Sequence, residues 1–256
     1  MRSSQNHFES WPGLDGSERS VKTMPSPDSV SPYVLLGMTA GTGIVDAVSV
    51  LALGNVFTAN MTGNVVFLGF ALAGEPRFSI IRSSLALTFF LLGAVMGGRL
   101  LTRMSSRPIY YSTGWAFGLD GLLLMAAGLV LFLSLNTASE TALFGVIALT
   151  ALAMGLRNAT ARRLGAADLT TTVLTMTITG LAADSSLAGG DNPRWQRRVA
   201  SIFLMFAGAF TGALVVRKSA AYPLLLCGLG SIACALIVLR QGPRSRGDSQ
   251  STSSTD

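Results

Sequence analysis

The chain has 256 residues, of which 50% are hydrophobic and only 12% charged, and its mean hydropathy is +0.51. Soluble domains carry about 25% charged residues, so this composition excludes a water-soluble fold of this size and predicts an integral membrane protein within a lipid bilayer. The net charge of +6 does not indicate a nucleic-acid partner, because the arginines lie between apolar segments, as in the loops of bacterial-type membrane proteins.

The residue types that catalysis or metal binding would need are scarce. His7 is the sole histidine, and Cys227 and Cys234 are the only cysteines. Both cysteines lie on one face of an apolar segment, where they cannot form a disulfide with each other. The sequence has no phosphate-binding loop, nucleophile elbow or metal motif, so we expect no enzymatic activity, no cofactor and no metal site.

The sequence pattern indicates a membrane domain between two polar tails. Residues 1–32 and 241–256 are rich in small, polar and charged residues and are predicted to be disordered. The membrane domain, 33–240, contains eight apolar segments: about Val34–Leu53, Val56–Ala73, Ser83–Leu101, Thr113–Leu135, Thr141–Ala161, Leu169–Ala183, Val199–Val216 and Ala221–Leu239. Six of them approach the roughly 20 residues that a spanning helix needs. The predicted fold is therefore an all-α, polytopic membrane bundle.

The membrane domain also repeats itself. The motif that runs from Gly43 through Asp46 to Ala47 resembles the one that runs from Gly155 through Asn158 to Ala159. Further matches follow in the same order: Leu53-Gly54 with Leu164-Gly165, Thr58 and Thr62 with Thr171 and Thr175, Leu72-Ala73-Gly74 with Leu187-Ala188-Gly189, Pro76-Arg77 with Pro193-Arg194, and Gly93 to Gly97 with Gly208 to Gly212. We therefore predict two repeated halves, 33–136 and 141–240.

The distribution of positive charge distinguishes two topologies. If all eight segments cross and the N-terminus is inside, the 19 Lys and Arg residues divide into 11 inside and 8 outside. If the second and sixth segments instead enter and leave on the same side, 15 lie inside and 4 outside. The positive-inside rule favours the second arrangement, with cytoplasmic termini and halves of inverted topology. Eight crossings with parallel halves is the alternative.

The two short segments are unusually polar. In a helix, Thr58 would stack on Thr62, and Asn60 on Asn64; the sixth segment offers Thr171 and Thr175. Short, interrupted segments at matching places in two halves indicate the binding site of a transporter. The structural alternative is that these side chains form hydrogen bonds between helices.

Two acidic residues lie within apolar segments. A carboxylate in a bilayer is unfavourable unless it is paired, hydrated or protonated, so Asp46 is a candidate for cation coordination or proton uptake. Its counterpart in the second half is the neutral Asn158. A salt bridge to a loop arginine, or a position at the membrane interface, is the alternative role. Asp120 is the second candidate.

Two G-x-x-x-G pairs allow close approach of helices. They are Gly93 with Gly97 and Gly208 with Gly212. We expect them to pack the two halves together, or two protomers in a homodimer.

The runs Gly41 to Ala47 and Leu53 to Asn64, the latter including Phe-Thr-Ala-Asn-Met-Thr-Gly-Asn, resemble the N-terminal signature of the YoaK-like family. Met154 to Ala159 and Thr171 to Thr175 resemble its second signature. The resemblance covers essentially the whole membrane region. It implies a bacterial inner-membrane protein, and because the family has no established activity, it implies neither a substrate nor a site.

Two functions follow from these observations. The first is a small secondary transporter for a small molecule or ion, whose site lies between the second and sixth segments and whose coupling to a proton or cation depends on Asp46. The second is a structural or sensory membrane protein. An intramembrane enzyme would need Asp46 and Asp120 to face each other, which nothing in the sequence indicates.

Overall fold

The computed structural model describes residues 30–134, 139–165 and 174–241. Within these ranges the chain contains eight α-helices and no strand. They are α1 (Pro32–Ala52), α2 (Met61–Leu72), α3 (Ile80–Arg103), α4 (Ile109–Leu133), α5 (Glu140–Arg163), α6 (Leu174–Ala183), α7 (Trp195–Val216) and α8 (Ala221–Arg240), with a short 3-10 helix at Ser186–Ala188. The predicted tails, apart from 30–32 and 241, lie outside the described residues.

Six of the helices are long and apolar enough to cross a membrane: α1, α3, α4, α5, α7 and α8. The other two, α2 and α6, have 12 and 10 residues. At 1.5 Å per residue, helices of this length reach at most about 18 Å, which is short of the roughly 30 Å of a hydrocarbon core. The predicted all-α polytopic bundle is confirmed.

The long helices pack in pairs. Helix α1 packs mainly on α7, α3 on α5, and α4 on α8, while contacts of α4 with α5 and of α1 with α8 join the pairs. The short helices lie at the periphery, α2 against α3 and α6 against α7. The face that α2 turns outward carries exposed apolar side chains, such as those of Val65 and Phe70, as expected for a helix that faces lipid.

Glycines let two of these pairs approach closely. A Cβ atom on Gly93 of α3 would lie 2.1 Å from the carbonyl oxygen of Leu152 in α5, and one on Gly208 of α7 would lie 2.1 Å from that of Ala40 in α1. One turn later, Gly97 faces Leu156 and Gly212 faces Ile44. Both contacts advance along the two helices together, so α3 runs parallel to α5, and α7 runs parallel to α1.

The third pair runs the other way. In α4, Gly114 faces Leu239, Gly121 faces Gly228, and Gly128 faces Leu225 of α8. The contacts advance along α4 as they recede along α8, so these two helices are antiparallel.

The second apolar segment begins its helix later than predicted. Helix α2 starts at Met61 and not near Val56, because Gly54 and Asn55 both adopt positive φ angles, +88° and +55°. Asn60 then caps the helix by accepting a hydrogen bond from the Gly63 N–H. The predicted stacking of Thr58 on Thr62 and of Asn60 on Asn64 within one helix is therefore wrong, since Thr58 and Asn60 precede it.

Candidate functional site

The stretch between α1 and α2, residues 53–60, turns back into the bundle. After α1 ends, the positive φ angles of Gly54 and Asn55 reverse the chain. Val56, Thr58 and Ala59 are then all 0–1% exposed. We refer to residues 53–60 as the returning segment; it has no regular hydrogen bonding and is nevertheless buried in protein. Irregular backbone at membrane depth is tolerated only in such surroundings.

A side chain from α2 holds the returning segment in place. The Asn64 amide accepts a hydrogen bond from the Phe57 N–H at 2.9 Å and donates one to the Phe57 carbonyl oxygen. Asn64 is the buried residue of α2. Its side chain therefore takes the place of the backbone partner that Phe57 would find in a helix or a sheet.

The returning segment begins at the same end of the bundle at which the loop after α2 leads into α3. The Asn55 side chain donates a hydrogen bond to the Arg77 carbonyl oxygen at 3.3 Å. The Arg82 guanidinium, near the start of α3, lies beside Gly54. The chain therefore leaves α1 and begins α3 at the same end of the bundle, as expected for the second segment if it does not cross the membrane.

Asp46 lies on α1 where the returning segment meets it. The residue is 8% exposed, and its carboxylate interacts with the backbone N–H of Ala59. The Oδ1 atom is buried and has no hydrogen-bond partner among the described residues. The Oγ1 atom of the neighbouring Thr58 is likewise buried without a partner. This part of the bundle therefore contains two buried oxygen atoms, Asp46 Oδ1 and Thr58 Oγ1, without a hydrogen-bond partner among the described residues.

A buried ion pair occupies the centre of the bundle. The Arg157 guanidinium on α5 forms two parallel hydrogen bonds with the Asp120 carboxylate on α4, at 2.6 and 3.2 Å. It also donates to the Met38 carbonyl and the Thr42 hydroxyl of α1, both at 3.2 Å, and to the Ser231 hydroxyl of α8 at 2.9 Å. A guanidinium has five N–H groups, and here they meet five acceptors from three neighbouring helices.

Sequence reasoning missed Arg157 as a site residue. It counted Arg157 among the charges on the cytoplasmic side, whereas the side chain is 5% exposed within the bundle. A usable signal was present: the residue lies in the apolar segment Thr141–Ala161, as Asp120 does in Thr113–Leu135, and opposite charges within a membrane usually pair with one another. The predicted candidate Asp120 is thus one member of this ion pair.

The remaining predicted residues are dispersed. Thr62 and Thr175 are exposed on the outer faces of α2 and α6. The Asn158 amide donates to the Met154 carbonyl oxygen of its own helix, and Thr171 lies outside the described residues. Helix α2 packs mainly on α3, and α6 packs mainly on α7. The common site that the sequence predicts between the second and sixth segments therefore stays a prediction.

Comparisons with known proteins agree with the membrane architecture. A family described as "Protein of unknown function (DUF1275)" matches residues 34–237. The chain is 34% identical over 152 residues to the UPF0700 transmembrane protein YoaK of Bacillus subtilis (strain 168), an alignment that covers 59% of this chain and 65% of that protein. No solved structure matches the chain. The predicted resemblance to the YoaK-like family is confirmed, and the chain, a multi-pass membrane protein, belongs to the DUF1275 family.

Proposed function

We propose that this protein is a small secondary transporter whose site lies where α1 meets the returning segment. The observation that carries the proposal is the Asp46 carboxylate, which is buried in a membrane-spanning helix and leaves Oδ1 without a partner among the described residues. An ionisable group in the bilayer that is not fully paired indicates a pathway for an ion or substrate. Broken helical segments beside such a group are typical of transporter sites.

The glycine contacts support two duplicated halves. Gly43 faces the Met205 carbonyl and the Ala209 amide of α7. In the same way, Gly155 faces the Phe90 carbonyl and the Ala94 amide of α3, two positions that are also four residues apart. The pairing of α1 with α7 therefore corresponds to that of α5 with α3, as expected if 33–136 and 141–240 derive from one unit.

The helix directions support halves of inverted topology. If all eight helices crossed the membrane, α4 and α8 would run in the same direction, whereas they are antiparallel. With α2 and α6 not crossing, α4 and α8 run in opposite directions, and α1 and α5 do too. Inverted halves of this kind can alternate access to a site between them by rocking. We place both termini in the cytoplasm of a bacterial cell and the bundle in its inner membrane, on the basis of the positive-inside rule.

A structural or sensory role is the alternative, and one observation favours it. The Arg157 guanidinium has an acceptor for every N–H group, which is the arrangement of a rigid core. Such a core holds α1, α4, α5 and α8 together without requiring any of them to move. In this alternative, the polar side chains serve only to satisfy one another.

An uptake experiment distinguishes the two roles. Purified protein in liposomes is exposed to a mixture of metabolites and salts with an imposed proton or Na⁺ gradient, and the lumen is analysed by mass spectrometry. We expect at least one compound to accumulate with the wild-type protein and not with Asp46→Asn, which matches the volume of the native side chain and removes its charge. Thr62→Val, at an exposed position of α2, is the control. A lumen identical to that of protein-free liposomes would favour the structural role.

A further inference from the structure

The charges inside the bundle do not balance. Among the described residues, the buried charged side chains are those of Asp46, Asp120 and Arg157. Arg157 neutralises Asp120 at 2.6 Å, which leaves the Asp46 carboxyl group without an ion-pair partner among the described residues. We propose that Asp46, Thr58 and Ser83 bind one monovalent cation of the Na⁺ type. The transport consequence of this site rests on the proposed function; the binding itself does not.

Three buried oxygen atoms supply the ligands. The Oδ1 of Asp46, the Oγ1 of Thr58 and the Oγ of Ser83 have no hydrogen-bond partner among the described residues. All three residues are at most 8% exposed. Leaving such atoms unsatisfied in an apolar interior is costly, and carboxylate and hydroxyl oxygens are the ligands of hard cations.

The fold brings these residues to one region. The Ala59 N–H interacts with the Asp46 carboxylate, so the adjacent Thr58 lies beside α1. Ser83 is on the buried face of α3, one turn before Ala86. Ala86 belongs to the same buried apolar cluster as Val45, Val56 and Ala59. The returning segment and the two helices that carry the other two ligands therefore contribute side chains to one buried cluster.

The same observations argue against other occupants. A divalent cation would leave an excess positive charge, and the described residues contain no group of three acidic, His or Cys side chains that could hold a metal ion. Within the described ranges no amine or guanidinium forms an ion pair with Asp46, and the buried guanidinium, that of Arg157, is paired with Asp120. A single monovalent cation would balance an ionised Asp46 and coordinate the three oxygen atoms that have no hydrogen-bond partner among the described residues.

The first experiment measures binding directly. Equilibrium dialysis of the purified full chain in detergent against ²²Na⁺ should show one saturable ion per chain. Na⁺, relative to choline at equal ionic strength, should raise Tm by about 5 °C when the site is saturated. Choline is the control cation, because it is too large to fit between three buried side chains.

Single substitutions assign the ligands. Asp46→Asn should abolish both the ²²Na⁺ stoichiometry and the shift in Tm. Thr58→Val should weaken Na⁺ binding by about tenfold or more, which corresponds to about 1.4 kcal/mol, whereas Thr58→Ser keeps the hydroxyl and should bind nearly as the wild type does. The control, Thr62→Val, removes a hydroxyl from the exposed face of α2 and should leave both measurements unchanged.

Each result decides the proposal. Saturable ²²Na⁺ binding that is lost in Asp46→Asn and weakened in Thr58→Val, but not in Thr58→Ser, supports the cation site even if the liposomes take up no compound. Uptake that depends on Asp46 while ²²Na⁺ does not bind would overturn the cation site and leave the transporter proposal standing. A Tm that responds to proton concentration and to no monovalent cation would likewise overturn it, because a proton then neutralises Asp46.

Discussion

At the scale of single residues, the buried guanidinium of Arg157 forms five hydrogen bonds with neighbouring helices. Its partners come from α1, α4 and α8, so one side chain links four helices. Breaking a buried ion pair by removing one partner is strongly destabilising, because the other charge remains buried and unpaired. Replacing both partners by apolar residues is much less harmful.

Asp120→Asn should therefore lower the free energy of unfolding by about 3–5 kcal/mol. The double variant Asp120→Leu with Arg157→Met should recover most of that loss, since it leaves no charge behind. Thermal unfolding in detergent, monitored by intrinsic fluorescence, measures both. The exposed pair of Glu75 and Arg77 provides the control, because Glu75→Gln should leave Tm unchanged. If Asp120→Asn and Glu75→Gln changed Tm equally, that result would contradict the structural importance of the buried pair.

At the scale of secondary-structure elements, the returning segment depends on one amide. Asn64 makes two hydrogen bonds to Phe57, whereas Asn60 makes a single long capping bond of 3.4 Å. Asn64→Ala should cost about 2–3 kcal/mol, the sum of two buried hydrogen bonds, and Asn60→Ala should cost about 0.5–1 kcal/mol.

Hydrogen exchange read by mass spectrometry gives a second measure of the same effect. Asn64→Ala should accelerate exchange in peptides that cover residues 54–60, with little change in α4 or α8. Asn60→Ala should alter only the first turn of α2. If both variants behaved alike, the amide of Asn64 would not be what holds the returning segment.

The close helix contacts give a prediction of their own. Gly93→Ala places a methyl group against the Leu152 carbonyl and should cost about 1–3 kcal/mol through overpacking. Gly98→Ala, on the same helix with no atom within 4 Å of its Cβ position, is the control and should be neutral or slightly stabilising. Gly208→Ala, against the Ala40 carbonyl, should resemble Gly93→Ala if the halves are duplicates. Values of Tm in detergent measure all three.

The long helices were predictable from sequence, and the local path of the short segments was not. Apolar length alone identifies α1 and α4 to within a few residues of their ends. The late start of α2 depends on the positive φ of Asn55 and on the contact of Asn64 with Phe57, and neither follows from a hydropathy pattern. For the same reason the sequence suggested that Thr58 and Thr62 share a face, whereas one is buried and the other exposed.

At the scale of the whole molecule, some features of the candidate site could be predicted from the sequence and others depend on how the helices pack. Asp46 and Asp120 could be identified because acidic residues are conspicuous in apolar segments. It could not be predicted that Asp120 forms an ion pair and that Asp46 does not among the described residues, because this depends on which helix packs beside each of them. Arg157 reaches Asp120 only through the contact of α4 with α5, a relation between separate segments that composition and spacing do not encode.

The six-crossing topology can be tested on intact cells. Single cysteines replace Glu75, Arg107 or Lys218 in a Cys227→Ala, Cys234→Ala background, and a membrane-impermeant maleimide is applied before or after permeabilisation. With α2 and α6 not crossing, residues 75 and 218 lie on the outer side and should label in intact cells, while residue 107 should label only after permeabilisation. With eight crossings, residue 75 would lie inside and residue 107 outside, so the labelling of these two would be exchanged while residue 218 stayed accessible. Residue 218 thus serves as the internal reference, and the protection of residue 107 decides between the two topologies independently of any transport activity.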